Sequence, residues 1–153
     1  EEYGLVRWVR ENVSPGEIIV EATGRTWALS DGTLRIVRSD TDYSGSGRLS
    51  ARTGLPSPVG WYFHEVQWRG DGVRSELDRR QGLVDAVYTA RTPSDAIEAL
   101  RALDAQFVVV GAVERSRYPG DALTDFSAFL DLAWEQGETR IYRLPRFETV
   151  PTS

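Results

Sequence analysis

The amino-acid sequence predicts an α/β fold: a mixed β-sheet with helices packed on it, in a single three-layer-like domain with an extra β-hairpin. Three observations predict this fold. Candidate helices and strands alternate along the chain, as in sheets covered by helices. Residues 106–113 (QFVVVGAV) form an uninterrupted apolar run, typical of a strand buried on both faces. Asp31-Gly32 separates two strand-like segments, which is a strong signal for a tight hairpin.

Length and composition restrict the possible classes of protein. With 153 residues and 41% hydrophobic residues, the chain has the size of one globular domain, which we place at residues 1–144 with a polar tail at 145–153. The absence of Cys excludes thiol chemistry and disulfides. A net charge of -5 argues against nucleic acid as a partner. No apolar run approaches the ~18 residues of a membrane span, so we expect a soluble domain.

The first half of the chain is predicted to contain one helix and several short strands. The helix is indicated by Leu5, Trp8 and Val9, whose spacing places them on one helical face. The strands are indicated by β-branched runs between turn residues. In chain order we predict a helix over 2–12, a strand over 17–22, hairpin strands over 27–30 and 33–37, a polar loop over 39–47 and a short strand over 49–52.

The second half is predicted to contain helices around a central strand. Ser75 and Asp78 resemble a capping box, and residues 92–95 (TPSD) combine an N-cap, a first-turn Pro and an acidic residue. The predicted elements are a helix over 76–89 with Leu77, Val84, Val87 and Tyr88 buried, a helix from Pro93 with Ile97, Leu100 and Leu103 facing the core, the central strand over 106–113, and a helix over 121–130 through Leu123, Phe126 and Leu130.

The C-terminal segment has two interpretations. The helix over 121–130 could continue to a C-cap at Gly137. Alternatively, residues 132–136 and 139–144 form a hairpin around Gly137. The hairpin is favoured because TRIYRL reads as a strand and Trp134 alternates with polar neighbours.

Residues 48–70 (RLSARTGLPSPVGWYFHEVQWRG), here called the aromatic–arginine segment, form the main candidate site. Three Gly and two Pro favour a surface course, yet the segment is rich in aromatic residues. Flat rings can contact the CH faces of a sugar, while charged forks bind hydroxyls or phosphate. For any single ring, a place in the core is the favoured interpretation, because aromatic side chains dominate core area. The candidate ligand-binding residues here are Arg52, Trp61, His64, Glu65, Trp68 and Arg69.

The same segment gives no sign of a metal or cofactor site. After His64-Glu65, a metalloprotease helix would carry a second His four residues on, where this chain has Trp68. One His and no Cys make a poor zinc ligand set. The GSG at 45–47 is not followed by a helix start, so phosphate-loop and dinucleotide patterns fail. We therefore predict no metal and no cofactor, and the catalytic residues of any reaction stay unknown.

A second group of candidates follows the central strand. Glu114, Arg115 and Tyr118 come directly after it, and ligands of open α/β sheets bind at the carboxyl ends of strands. The alternative is structural: Glu114 and Arg115 could pair with Arg79 or Asp85 and tie a helix to the sheet. The sequence leaves both interpretations open.

The order of several motifs resembles a known family. The motifs are WVRENVSPGEIIVEA, RLSARTGLPSPVGWYFHEVQWRG, VVVGAVERSRYP and RIYRL. They are similar to the extracytoplasmic C-terminal domain of the "YYY" family, multi-pass membrane proteins of unknown function whose membrane part resembles GT-C type glycosyltransferases. The resemblance covers about residues 5–144 and is most specific over 53–70, followed by Glu114-Arg115 with Tyr118.

The resemblance implies an accessory role on the extracytoplasmic side of a membrane. The catalytic acid of such transferases is expected in the membrane part, so this domain would cap that active site and contact a sugar or a polyprenyl-phosphate-linked sugar. Its own membrane-spanning domain would be its partner, and the isolated domain would be inactive. The absence of an initial Met fits a piece of a longer protein. A stand-alone carbohydrate-binding module and a protein-interaction module are the alternatives.

Overall fold

The computed structural model describes residues 2–14, 16–22, 25–39 and 74–145. Over these residues the chain forms a mixed four-stranded sheet with helices packed on it and a separate two-stranded hairpin, which confirms the predicted α/β class. The elements are α1 (Glu2–Asn12), β1 (Ile19–Val20), β2 (Arg25–Ser30), β3 (Thr33–Ser39), α2 (Arg74–Thr89), α3 (Pro93–Ala102), β4 (Phe107–Val110), α4 (Ala112–Arg117), β5 (Asp131–Gln136) and β6 (Thr139–Arg143).

The four-stranded sheet has the order β1-β4-β6-β5. β1 runs parallel to β4, while β6 is antiparallel to both β4 and β5. β4 is therefore an internal strand, and all four of its residues are buried, as the apolar run predicts. β1 is shorter than the predicted strand over 17–22, because only Ile19 and Val20 pair with β4.

Alternation along the strands divides the core between the two faces of the sheet. One face packs against α1, and the other packs against α2, α3 and the segment that follows α4. The first cluster contains Leu5, Val6, Val9, Val13, Ile19, Phe107, Val109 and Ile141. The second contains, among others, Val20, Val84, Val87, Tyr88, Leu100, Val108, Val110, Tyr118, Phe126 and Tyr142. The helices and the sheet thus form three layers.

The predicted helix starts are confirmed in part. α1 has the predicted bounds, and in α3 the Thr92 hydroxyl accepts the Asp95 N–H at 3.2 Å, as the N-cap signal indicates. α2 begins at Arg74, so the capping box expected at Ser75 is wrong: this residue lies inside the helix. Ile97 is half-buried rather than part of the core.

The central strand predicted over 106–113 is too long. β4 ends at Val110, and α4 begins at Ala112. The reason is local: the Glu114 carboxylate accepts the Gly111 N–H at 2.9 Å, which stabilises a helix start that an apolar pattern alone does not reveal.

The helix predicted over 121–130 is wrong. Two 3-10 turns, Gly120–Ala122 and Phe126–Ala128, stand in its place. The Thr124 hydroxyl lies 3.0 Å from the Val87 carbonyl oxygen, and the Asp125 side chain accepts the Ser127 N–H. Such side-chain hydrogen bonds compete with the backbone hydrogen bonds of a helix. This segment therefore bonds to α2 and does not form a continuous helix.

Both hairpins are confirmed. β2 and β3 extend two residues beyond the prediction at their open end, and Asp31 and Gly32 have φ values of 51° and 76°, the left-handed region that a type I′ turn requires. β5 and β6 pair around Gly137, whose φ is 59°, so the hairpin and not the long helix is correct. The short strand predicted over 49–52 lies outside the described residues.

Candidate functional site

Buried polar side chains gather at the carboxyl ends of β1 and β4, the parallel pair among the described strands. We call this group the carboxyl-end cluster. It holds three acidic residues, one basic residue and one hydroxyl, none of them more than 8% exposed. Its members are Glu21, Asp85, Glu114, Arg117 and Tyr118.

Glu114 is completely buried and connects two distant chain segments. Its Oε1 accepts the Gly111 N–H at 2.9 Å at the start of α4. Its Oε2 accepts the Ala22 N–H at 3.1 Å, just beyond β1 and 92 residues away in sequence. Glu114 therefore fastens the end of β1 to α4.

Tyr118 joins α4 to α2. Its hydroxyl donates to Asp85 Oδ1 at 2.6 Å, and its ring stacks on Tyr88 with centroids 4.8 Å apart. The Tyr88 hydroxyl lies 3.0 Å from the Val20 carbonyl oxygen and 2.7 Å from that of Val109, between β1 and β4. The structure thus has a tie between helix and sheet, but the residue that binds Asp85 is Tyr118.

The two basic residues of α4, Arg115 and Arg117, contact the two hairpins. Arg115 is half-buried and donates from Nη2 to the Glu138 carbonyl in the turn between β5 and β6. Arg117 donates from Nη1 to the Thr26 hydroxyl on β2 at 3.2 Å. Arg79, the other predicted partner, binds Glu76 on its own helix at 3.1 Å. α4 therefore lies at the junction of the sheet and both hairpins.

The structure brings together the second group of sequence candidates: Glu114 and Arg115 lie on α4, and Tyr118 follows it. All of the candidates from the aromatic–arginine segment lie outside the described residues: Arg52, Trp61, His64, Glu65, Trp68 and Arg69. β3 ends at Ser39, which pairs with Arg25 at the open end of the hairpin. Arg25 is three residues after Ala22, and Ser39 lies across the hairpin from it. The chain continues from Ser39 into residues 40–73.

Several members of the carboxyl-end cluster were not among the sequence candidates: Glu21, Asp85 and Arg117. Two signals in the sequence could have indicated part of the arrangement. Gly111 followed three residues later by Glu114 has capping-box spacing. Asp85 interrupts the buried stripe of α2 between Val84 and Val87, which also marks a polar group inside an apolar face. Neither signal identifies the partner across the fold.

The chemistry available to the carboxyl-end cluster is that of a structural polar core. The Glu114 and Asp85 carboxylates accept backbone N–H and hydroxyl groups, and Glu114 has no exposed surface through which a substrate could reach it. Within residues 2–14, 16–22, 25–39 and 74–145, no three potential ligands come close enough to hold a metal ion. In the same part of the chain, no helix is both long and apolar enough to cross a membrane.

Comparison of the chain with protein-family models, with curated proteins and with solved structures gives no significant match.

Proposed function

We propose that this chain is an accessory domain of a membrane-embedded, glycosyltransferase-like protein, placed on the extracytoplasmic side. In this proposal the domain caps the active site of its membrane-spanning partner domain and carries no catalytic residue of its own. It contacts a sugar or a polyprenyl-phosphate-linked sugar through Arg52, Trp61, His64, Glu65, Trp68 and Arg69. The observation that carries the proposal is the use of the carboxyl-end cluster to hold the fold together.

The position of Glu114 supports a scaffold role for the described part of the chain. A general acid, a general base or a nucleophile must come within hydrogen-bond reach of its substrate. Glu114 is fully buried, and each of its oxygens binds a backbone N–H. Tyr118 is equally buried and donates to Asp85. These groups stabilise the carboxyl end of the sheet. An enzyme with an open α/β sheet would expose its reactive groups there.

The course of the chain supports ligand contact by the aromatic–arginine segment. α/β sheets bind ligands outside the carboxyl ends of their strands. β2 begins three residues after Ala22, whose N–H is held by Glu114, and β3 ends at Ser39 opposite Arg25. Ser39, the last described residue before 40–73, is therefore one strand pairing and three residues away from Ala22. Residues 40–73 contain the rings and guanidinium groups that suit a phosphorylated sugar.

A binding experiment tests the contact with sugar. Short oligosaccharides and a water-soluble prenyl-phosphate sugar are titrated against the chain while intrinsic Trp fluorescence is recorded. We expect a saturable change, and Trp61→Ala or Trp68→Ala should weaken binding about three- to tenfold through the loss of ring contacts. Trp8→Phe and Trp134→Phe are the matched controls, because these half-buried rings pack against the α1 face of the sheet. A flat titration with every sugar contradicts ligand binding by this domain.

The genomic context tests the membrane assignment separately. We expect the open reading frame to encode several apolar spans of about 20 residues outside this region. A frame without such spans, combined with sugar binding, would instead identify a stand-alone carbohydrate-binding module. A frame without spans and a flat titration would leave a protein-interaction module.

A further inference from the structure

We infer that the β2–β3 hairpin is a strap that undocks from α4 as a unit while the four-stranded sheet stays folded.

The hairpin forms its own sheet and faces the body with one strand. β2 and β3 pair with each other and lie outside the β1-β4-β6-β5 sheet. Thr26, Trp27 and Ala28 on β2 are half-buried, and β2 lies against α4 and the Gly120–Ala122 turn. On β3, by contrast, Arg35 and Ile36 are exposed, with 44% of Ile36 accessible. Among the hairpin residues whose burial is described, the half-buried ones all lie on β2.

Two side-chain contacts between the strap and the body are described, and a further contact lies at the root of the strap. The Trp27 ring packs against the second core cluster, and the Thr26 hydroxyl accepts a hydrogen bond from Arg117 at 3.2 Å. At the root of the strap, the Ala22 N–H donates to Glu114 at 3.1 Å. The strap has no strand of the four-stranded sheet as a neighbour, whereas β4 has a paired strand on each side and core on both of its faces.

One of these contacts is imperfect. Trp27 Nε1 is buried, and no acceptor for its N–H lies within bonding distance among the described residues. In the undocked strap this N–H would bind water, so docking removes one hydrogen bond without replacing it. A buried donor without a partner opposes the state that buries it. Trp27 thus favours docking through its ring and disfavours it through its N–H.

Because the Trp27 N–H opposes docking and the strap forms its own sheet, we expect undocking to be a local event that leaves the four-stranded sheet folded. An isolated two-stranded hairpin is at best marginally stable in water, so an undocked strap exposes its own backbone amides. Segments with few buried contacts open with a lower free energy than the core. Because Ser39 is the last residue of β3, undocking also changes the point from which the chain continues into residues 40–73.

Native-state amide hydrogen exchange in low concentrations of urea tests the inference. We expect the amides of residues 25–39 to exchange through an opening that depends little on urea. The amides of β4 should exchange more slowly and with the urea dependence of global unfolding. Equal exchange rates and equal urea dependence in β2 and β4 would overturn the inference.

A ring isostere tests the role of the Trp27 N–H. Replacing Trp27 with 3-benzothienyl-alanine puts sulfur in place of the N–H and keeps the bicyclic shape. We expect the hairpin amides to exchange about tenfold more slowly, because the docked state no longer buries an unpaired donor. The matched control is the same replacement at Trp8, which packs edge-on against Phe107 on the opposite face of the sheet and should leave hairpin exchange unchanged. Unchanged or faster exchange with the Trp27 isostere would overturn this role.

A second variant loosens the strap. Thr26→Val keeps the shape of the side chain and removes the acceptor of the Arg117 hydrogen bond. We expect hairpin exchange to become roughly tenfold faster and β4 exchange to stay within twofold of the parent. Equal acceleration of both would show that the hairpin does not open alone.

Discussion

At the scale of single residues, Glu114 shows how one side chain can decide where two elements meet. Its two oxygens bind N–H groups at the start of α4 and just past β1. The sequence places Glu114 after the central strand, which is correct, but leaves open whether it binds a ligand or a partner within the fold. Its actual partners are backbone groups, one of them 92 residues away, and such partners leave no local pattern.

Glu114→Ala should lower the free energy of unfolding by about 3–5 kcal/mol. The substitution leaves two buried N–H groups without acceptors, each costing about 1–3 kcal/mol, and opens a cavity. Urea denaturation monitored by circular dichroism measures the change. Glu98→Ala, at an exposed position on α3, is the matched control and should stay within about 0.5 kcal/mol of the parent. A loss below about 1 kcal/mol for Glu114→Ala would contradict its role in the core.

The exposed pairs on α2 give a pH prediction. Hydrogen bonds from Arg79 and Arg80 hold the pKa of Glu76 below its ordinary value of 4.5. The ionised form is thus favoured in the folded state. Its contribution to stability is fully present above the unfolded pKa and disappears as the pH falls through the lower, folded pKa. An NMR titration of the Glu76 carboxyl carbon should give a midpoint below 4.5, and Arg79→Gln with Arg80→Gln should return it toward that value.

At the scale of elements, a helix or turn is predicted correctly when the hydrogen bonds that form it join residues close together in sequence. The turn at Asp31-Gly32 requires left-handed backbone, and the N-cap Thr92 binds a group three residues away, so both were predicted correctly. The helix expected over 121–130 fails because Thr124 bonds to α2, far away in sequence. Local signals predict local hydrogen bonds, and a distant partner can override them.

Two glycine substitutions should have opposite signs. A Cβ at Gly82, in α2, would meet no atom within 4 Å, so Gly82→Ala should raise the free energy of unfolding by about 0.5–1 kcal/mol through helix propensity. A Cβ at Gly111 would lie 3.3 Å from Thr139 Oγ1 and 3.5 Å from Glu114 Oε1, so Gly111→Ala should lower it. Urea denaturation compares the two variants. A stabilising Gly111→Ala would show that the junction between β4 and α4 has free space.

At the scale of the whole molecule, the sheet separates two apolar clusters. Val9 belongs to the cluster beneath α1, and Leu100 belongs to the cluster beneath α2 and α3. Each is buried to 0% exposure, so truncation leaves a cavity on one face only. The sheet itself is shared by both clusters, which makes the four-stranded sheet and the helices packed on it a single cooperative unit.

Truncations on opposite faces should therefore be additive. Leu100→Ala should lower the free energy of unfolding by about 2–5 kcal/mol, and Val9→Ala by about 1–3 kcal/mol. The double variant should equal the sum within about 0.5 kcal/mol, because no partner side chain is shared. Val9→Ala with Val109→Ala, which lie in one cluster, is the contrasting pair and should deviate from the sum. A large coupling between Val9 and Leu100 would mean that the faces are not independent.

The sequence by itself determined the α/β class, the internal position of the FVVV strand, the bounds of α1 and the hairpin turn at Asp31-Gly32, and it favoured the second hairpin around Gly137. These features follow from periodicity and backbone preference within about ten residues. Only the tertiary structure decided that the carboxyl ends of β1 and β4 are closed by Glu114, Tyr118 and Asp85. The physical reason is that a buried polar group must find its partners wherever the fold brings them, and those partners lie 33 and 92 residues away along the chain.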